Sequence, residues 1–124
     1  MSNKGFSYTA VFRRHERAIA IGASSPRTRV EAERSLSELV GLSEAAGAMV
    51  VSSVVQERKS PDPATFLGLG KVEELAKSCD EAEIDLVVVD HELSPTQLKN
   101  LECVMGRKVV DRTQLILDIF AKRA

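Results

Sequence analysis

The chain has 124 residues, a length that suits one domain with a single hydrophobic core and is short for two. Hydrophobic residues make up 44% and charged residues 28%, which are the proportions of an ordinary globular protein and exclude a disordered or collagen-like chain. Lys and Arg number 17 against 18 Asp and Glu, so binding of RNA or anionic lipid would need a local basic patch, because the net charge is only -1.

The positions of cysteine and histidine and the hydropathy of the chain argue against several further classes of protein. Cys79 and Cys103 form no C-x-x-C pair and lie in segments with helical patterns, which argues against a disulfide framework. His15 and His91 show none of the short ligand spacings of zinc sites. No apolar run reaches the ~18 residues of a membrane helix, and no signal-peptide pattern follows Met1. We therefore expect a cytoplasmic protein with no metal and no membrane segment.

The first half of the chain predicts a strand, a helix and a second strand. Residues 18–22 form a short apolar run that ends before a Ser-Ser-Pro sequence, as expected for a strand buried on both faces. From 28 to 46 the apolar residues recur at helical spacing, and Gly47 suits the left-handed position after a helix. The valine-rich run 49–55 predicts the second strand.

A long connection separates the second strand from the second helix. Residues 56–70 contain two prolines and two glycines, and connections of this length are usually functional or disordered. Apolar residues at i, i+3, i+4 and i+7 then predict a helix over 71–82, with Glu73 and Glu74 in its first turn, where they suit the helix dipole.

The last part of the chain repeats the alternation of strand and helix. Residues 84–89 predict a third strand, and 94–97 form a capping box with proline at the first helical position. The helix that follows is expected to end at Gly106. Residues 108–110 predict a fourth strand, after which Asp111 can cap a final helix.

These elements predict an α/β fold, βαβαβαβα, with a four-stranded, mostly parallel sheet flanked by helices as a three-layer sandwich. We assign residues 1–16 to an amino-terminal extension and 17–124 to the domain. Ligands of such sheets bind beyond the carboxyl ends of the strands. The segments expected to share that rim are 22–27, 56–70, 90–94 and 111–113.

Gly68, Gly70 and Lys71 lie just before the second predicted helix and suggest a phosphate-binding loop, because free backbone N–H groups, the helix dipole and a lysine all favour an anion. A P-loop would also need glycine in place of Thr65, and a dinucleotide-binding loop would need it in place of Glu73. The alternative, which we favour, is a loop whose glycines permit positive φ at the start of a helix.

Asp90, His91 and Glu92 follow the third strand, so two carboxylates and an imidazole could perform acid–base chemistry or hold a hard cation at the rim. Polar residues at this position are also common turn chemistry, and we favour that interpretation. Capping of the last helix is sufficient to explain Asp111. Arg112 beside it has no such local role, and its long side chain can extend beyond the turn.

Basic residues are grouped, and several groups flank the predicted rim. Contacts to ribosomal RNA need such clusters but rarely need aromatic stacking platforms, which four Phe, one Tyr and no Trp could hardly supply. We take Arg58, Lys59 and Arg112 as candidates for nucleic-acid binding, although any one pair can also be a solvated face. The groups are Arg13, Arg14 and Arg17; Arg27 and Arg29; Arg58 and Lys59; Arg107 and Lys108; and Lys122 and Arg123.

Three separated motifs together resemble the amino-terminal domain of HflX GTPases. They are PATFLGLGKVEEL at 63–75, DHELSPTQ at 90–97 and VDRTQLILDIFAKRA at 110–124. The resemblance implies a bacterial cytoplasmic protein that binds the large ribosomal subunit and its rRNA, helps to split or rescue ribosomes, and hydrolyses GTP with Mg²⁺ in a domain after this one.

The sequence also departs from the complete family pattern. It contains no G-x-x-x-x-G-K-[ST] sequence, and residues 3–6 lack the aspartate of the guanine-reading N-K-x-D motif. Family members continue after Ala124 with a coiled-coil-like segment, so we expect a fragment without GTPase activity and without a cofactor of its own. The family has also been linked to adenine nucleotides, so ATP is a further candidate ligand.

Two functions remain in competition. The leading hypothesis is a binding module for ribosomal RNA and for the GTPase domain of the same protein. The alternative is an independent ATP-binding α/β domain with weak ATP-linked activity.

Overall fold

The computed structural model describes residues 15–123, although not the side chains of Lys122 and Arg123. Most of the predicted extension, including Arg13 and Arg14, lies outside the described residues. The strands are β1 (Arg17–Ser24), β2 (Met49–Glu57), β3 (Leu86–Val89) and β4 (Lys108–Asp111). The helices are α1 (Arg29–Ala45), α2 (Leu69–Glu81), α3 (Pro95–Met105) and α4 (Arg112–Arg123), with a short 3₁₀-helix at Pro26–Thr28. None of the helices in the described part of the chain is long and apolar enough to cross a membrane.

The strands form one parallel sheet in the order β2-β1-β3-β4. β1 pairs on both edges, so that Ile21 lies opposite Val54 in β2 and opposite Val89 in β3. Strands that follow each other in sequence run in the same direction, so the chain must pass from the carboxyl end of one strand back to the opposite end of the sheet. A helix forms each of these connections. The predicted α/β fold is confirmed, and all three strand pairs are parallel.

Side chains of the sheet alternate between two hydrophobic cores. In β1, Ala18 and Ala20 belong to the core under α1 and α4, whereas Ile19 and Ile21 belong to the core under α2 and α3. The first core also contains Leu36, Leu39, Ala48, Leu86, Val88, Val110 and Leu115. The second also contains Phe66, Leu67, Val72, Cys79, Ile84, Val87, Val89, Leu93, Leu101, Met105 and Val109. Helices therefore cover both faces, which confirms the three-layer sandwich.

Three predicted helix ends are confirmed. At the start of α3, Ser94 Oγ accepts a hydrogen bond from the Gln97 N–H (3.1 Å), and Gln97 Oε1 accepts one from the Ser94 N–H (3.0 Å). At the start of α4, Asp111 Oδ1 accepts a hydrogen bond from the Gln114 N–H (2.9 Å). Gly106 ends α3 in the left-handed conformation, with φ 69°.

Four predicted boundaries were wrong by two residues, since β1 and β2 continue to Ser24 and Glu57 and the starts of β3 and α2 also differ. β3 begins at Leu86 and not at residue 84, because Asp85 instead binds the first residue of β1: its N–H donates to Arg17 O, and its Oδ2 accepts from the Arg17 N–H. α2 begins at Leu69 and not at residue 71, so Glu73 and Glu74 lie beyond its first turn. Helical geometry starts directly after the positive-φ residue that ends the preceding loop.

The connection between β2 and α2 is ordered by hydrogen bonds. Asp62 Oδ1 accepts from the N–H groups of Ala64 (2.7 Å) and Thr65 (3.0 Å), and the backbones of Asp62 and Phe66 bond to each other in both directions. From α3, Gln97 Nε2 donates to Asp62 O (2.8 Å). Phe66 is thereby buried in a left-handed conformation, with φ 68°. The loop is part of the folded domain.

Arg58 fixes the remainder of this loop. Its Nη1 donates to Leu67 O (2.5 Å) and its Nε to Ser60 O (3.3 Å). Gly68 follows with φ 86° and ψ 143°, a conformation that is essentially restricted to glycine. A Cβ at Gly68 would lie 3.1 Å from Arg58 Nη1, whereas a Cβ at Gly70 would meet nothing within 4 Å. The loop therefore depends on Gly68 and not on Gly70.

We predict opposite effects of the same substitution at these two glycines. Gly68→Ala should lower the free energy of unfolding by about 1–3 kcal/mol, because alanine is strained at this φ and its Cβ crowds Arg58. Gly70→Ala is the matched control and should leave stability unchanged or raise it by up to about 1 kcal/mol, because alanine is the better helix former. Urea unfolding measures both changes, and equal losses in the two variants would contradict the prediction.

We predict a pH-dependent contribution from Asp62. Hydrogen bonds from the N–H groups of Thr65 and Ala64 lower the pKa of this carboxyl below its ordinary value. A carboxylate with a lowered pKa stabilises the folded state above its unfolded-state pKa, and this contribution is lost as the pH falls through the folded-state pKa. Asp62→Asn should therefore be less stable than the unmodified chain at neutral pH, and the difference should vanish in acid. Urea unfolding across the acidic range measures it, and a difference independent of pH would refute the assignment.

Candidate functional site

The carboxyl ends of the strands bring the predicted rim segments together. The Arg58 N–H donates to Ser24 O (2.8 Å), which joins the segment after β2 to the end of β1. The Asp90 N–H donates to Ile21 O (2.8 Å), which joins β3 to β1. The Leu93 N–H donates to Asp111 Oδ2 (3.0 Å), which joins the segment after β3 to the start of α4. The side chains that follow all four strands therefore lie along one edge.

A crevice opens at this edge, where the order of the strands reverses. The connection after β1 runs to β2 on one side, and the connection after β3 runs to β4 on the other, so the switch point lies between the carboxyl ends of β1 and β3. Parallel α/β sheets bind ligands at such switch points. The crevice has a volume of about 230 Å³ and is lined by the end of β1, the 3₁₀-helix, residues 58–61, Phe66 and His91. We call this cavity the crevice.

A larger groove of about 400 Å³ lies between α1 and β2, away from the strand ends. Its two charged residues neutralise each other, because Arg29 Nε lies 3.0 Å from Glu33 Oε2. Glu57 Oε2 is a second acidic partner of the same guanidinium, at 3.2 Å. The hydrogen bond to Glu33, together with the contact to Glu57, raises the pKa of Arg29. The groove therefore offers less uncompensated charge than the crevice.

Cationic side chains that form no ion pair among the described residues lie on the β1–β2 side of the rim. The carboxylate that interacts with Arg58 is that of Asp62, whose pKa it helps to lower. Arg58 binds two backbone carbonyls and no carboxylate, and Lys59 is exposed without an ion pair among the described residues. Arg27, in the 3₁₀-helix, is also exposed and has no ion pair in that part of the chain. We call Arg27, Arg58 and Lys59 the basic patch.

Arg112, by contrast, is held by acidic partners on the other side of the rim. Its Nη1 lies 2.6 Å from Asp90 Oδ1, and its Nη2 lies 3.2 Å from Glu38 Oε1. Nη1 also donates to Ser35 O (3.3 Å). This guanidinium therefore fixes the end of β3 to α1 and to the start of α4.

Asp90, His91 and Glu92, the three polar residues after β3, each have different surroundings. The side chain of Asp90 is only 7% exposed and is paired with Arg112. His91 is exposed and stacks against Phe66, with ring centroids 5.0 Å apart. Glu92 is exposed. Among the residues that the structure describes, no group of three or more His, Cys, Asp or Glu side chains is placed to hold a metal ion.

The three residues of the predicted phosphate loop belong to two different parts of the structure, the loop before α2 and the first turn of α2. Gly68 lies against the Arg58 guanidinium, and Gly70 lies within the first turn of α2. Lys71 Nζ lies 2.7 Å from Glu74 Oε1, and this hydrogen bond lowers the pKa of the Glu74 carboxyl. The Lys71 ammonium is thus paired with a carboxylate of its own helix.

Sequence reasoning missed the serine and threonine residues that line the crevice, which are Ser24, Ser25, Thr28 and Ser60. Ser24 is 7% exposed, and its Oγ is buried without a hydrogen-bond partner in the described part of the chain. Ser25 Oγ and Thr28 Oγ1 lie 3.1 Å apart and bond to each other. The available signal is the position of Ser24 and Ser25 directly after the first predicted strand, which by itself indicates only the end of that strand.

Comparison with known proteins identifies relatives over most of the chain. The family model described as GTP-binding GTPase N-terminal matches residues 33–121. The GTPase HflX of Caldanaerobacter subterraneus subsp. tengcongensis is 49% identical over 110 residues, which cover 88% of this chain and 25% of that protein. The GTPase HflX of Escherichia coli is 43% identical over 89 residues, covering 72% of this chain and 21% of that protein. The chain thus spans about a quarter or less of these relatives.

Solved structures share the fold at lower identity. A GTP-binding protein from the archaeon Sulfolobus solfataricus, in complex with GDP, aligns with a TM-score of 0.60 at 24% identity, over 84% of this chain and 30% of that chain. The C-terminal catalytic domain of an IS607-like serine recombinase aligns with a TM-score of 0.55 at 20% identity, over 86% of this chain and 79% of that chain. These similarities concern the fold alone.

The family match begins in α1 and ends in α4, so it includes the loop after β2, the segment after β3 and the start of α4. Those are three of the four segments that form the rim, and the segment after β1 precedes the match. The chain belongs to the GTP-binding GTPase N-terminal family, as the amino-terminal domain of the HflX type.

Proposed function

We propose that this domain binds ribosomal RNA of the large subunit and the GTPase domain of the same cytoplasmic protein, which splits or rescues ribosomes. GTP hydrolysis, with GTP and Mg²⁺, is assigned to that separate domain. The domain described here binds and does not catalyse. The observation that carries the proposal is the basic patch, a group of three cationic side chains without ion pairs among the described residues, at the ligand-binding edge of a chain whose net charge is -1.

The contacts of the basic patch suit RNA in particular. RNA-binding proteins obtain most of their affinity from Lys and Arg contacts to backbone phosphates. Arg58 is held in place by the carbonyls of Leu67 and Ser60, so little side-chain entropy is lost when it meets a phosphate. Lys59 is exposed beside it. The patch therefore joins one fixed cation, Arg58, to two exposed cations, Arg27 and Lys59.

We assign Arg112 a positioning role within this function. Direct contact with RNA would require its guanidinium to leave Asp90 and Glu38, and Asp90 would then remain as a buried charge without its partner. Breaking such a pair costs more than a surface contact returns. Arg58 and Lys59 are consequently the proposed nucleic-acid contacts, and Arg112 holds the strand ends beside them.

We predict that Lys59→Ala weakens binding to large ribosomal subunits. Removing one phosphate contact should lower the affinity and reduce the slope of log affinity against log salt by about 1. Co-sedimentation of the domain with purified large subunits across a salt series measures both quantities. We choose Lys59 alone because Arg58→Ala would also leave the Leu67 carbonyl without its donor and destabilise the loop.

Lys99→Ala is the matched control, because Lys99 is an exposed lysine on α3 outside the crevice and the basic patch. It should leave affinity and salt slope unchanged. Equal behaviour of the two variants would show that the basic patch does not carry the contact. Absence of any binding by the unmodified domain at low salt would reject the proposed function itself.

A further inference from the structure

β2 has an edge that no other strand of the described chain covers. It is the first strand in the order β2-β1-β3-β4, and its pairing with β1 is regular over its second half. The N–H of Arg58, directly after β2, donates to Ser24 O at the end of β1. Because the backbone groups of successive residues in a strand point to opposite sides, those of Ser53, Val55 and Glu57 point away from β1. We call these three residues the open edge.

The other edge of the sheet is protected, whereas the open edge is not. Edge strands are normally kept short or charged, because their unpaired backbone groups would otherwise pair with another strand. β4 has only four residues, with Lys108 at one end and Asp111 at the other. β2 has nine residues, and its first eight carry no charge. The irregularity in its pairing lies between Val50 and Ser52, before the open edge. A long, uncharged edge of this kind favours a partner strand.

The groove between α1 and β2 lies along the same edge. Ser53 and Val55 line it from the sheet, and Leu36 and Val40 line it from α1. The residues that direct their backbone groups outward therefore direct their side chains toward α1. A strand added beside β2 would place every second side chain over this groove, which has a volume of about 400 Å³. The surface fits an extended segment with apolar side chains at alternate positions.

Residues 6–12 of this chain, which lie outside the described residues, have that pattern. They read FSYTAVF, with aromatic or apolar side chains at Phe6, Tyr8, Ala10 and Phe12 and hydroxyl side chains at two of the three positions between them. Such alternation is typical of a strand with one buried face, and aromatic and β-branched residues favour strands. Three of the five aromatic residues of the chain lie in these seven positions, and none of the seven is charged. Pairing with β2 would therefore remove no charge from water.

The start of β1 directs the preceding segment toward β2. His15 has a left-handed conformation, with φ 66°, and its N–H donates to Gly47 O (2.8 Å), just before β2. The Met49 N–H donates to Glu16 O (2.7 Å). Residues 13–15 can span at most about 10 Å, which equals two strand spacings of about 4.8 Å and is sufficient to pass from β1 to the far side of β2. A segment that arrives at this end of the sheet along β2 runs antiparallel to it.

We propose that residues 6–12 bind the open edge as a fifth, antiparallel strand, with Phe6, Tyr8 and Phe12 covering the groove. The aromatic face sets the register, because a shift by one residue would turn these side chains to the other face of the sheet. Seven residues extend over about 23 Å, which is within the length of the nine-residue β2. The proposal does not depend on ribosome binding, since it uses neither the crevice nor the basic patch.

The register assigns a direction to individual backbone groups. In an antiparallel pair, residues directly opposite each other share a face, and they exchange either both hydrogen bonds or none. Ser53 and Val55 point outward with their backbone groups and toward α1 with their side chains, so their partners belong to the aromatic face. The N–H of Ala10 therefore bonds to β2, whereas that of Val11 points to solvent.

Ala10→Pro and Val11→Pro test this assignment in the full chain. Proline has no N–H, so it should break the pairing at position 10, whereas an edge strand tolerates proline where the N–H faces solvent. Hydrogen exchange of the Ser53 and Val55 N–H groups should be slow in the unmodified chain and in Val11→Pro, and at least about tenfold faster in Ala10→Pro. The Val54 N–H, which points to β1, should exchange slowly in all three chains and serves as the control for an intact sheet.

The exchange rates can also contradict the proposal. Fast exchange at Ser53 and Val55 in the unmodified chain would show that the open edge is not covered. Equal rates in Ala10→Pro and the unmodified chain would show that residues 6–12 are not the partner. Acceleration in Val11→Pro and not in Ala10→Pro would place the opposite face of the segment over the groove. Slow exchange that becomes fast on dilution, together with sedimentation as a dimer, would assign the edge to a second copy of the chain.

Discussion

The double pairing of β1 is the constraint on which the other elements depend. β1 is hydrogen-bonded to β2 on one edge and to β3 on the other, and Ala18 and Ala20 are fully buried under α1 and α4. Its neighbours β2 and β3 are both parallel to it, and in a parallel sheet helical connections cover both faces. Every connection that follows a strand therefore emerges at the same edge. The crevice lies where these connections diverge, because the one after β1 runs to β2 and the one after β3 runs to β4 on the opposite side.

At that edge, two arginines with similar sequence surroundings have different roles. Arg112 is neutralised by Asp90 and Glu38, and it ties the end of β3 to its neighbours. Arg58 binds only carbonyl oxygens, so it orders the loop and keeps its charge. Hydrogen bonds to carbonyls fix a guanidinium without cancelling its charge, whereas carboxylates do both. This difference places the proposed binding surface on the β1–β2 side of the rim.

The sequence by itself determined the elements and their arrangement in layers. The apolar run at 18–22 predicted β1, the run at 84–89, interrupted by Asp85, predicted β3 except for its first residues, and the capping box at 94–97 and Gly106 predicted both ends of α3. These features depend on neighbours along the chain, so local patterns are sufficient to reveal them. The family resemblance likewise depends on the sequence alone, because three motifs and their spacing carry it.

Only the tertiary structure decided which side chains share a site. Residues 90–92 are consecutive in sequence, yet each has different surroundings, because the turn directs the side chains apart. Ser24 and Lys59 are distant in sequence and line the same crevice. Burial of the Ser24 hydroxyl and neutralisation of Arg112 both arise from contacts across the sheet. Strand order sets those contacts, and no local pattern of residues encodes strand order.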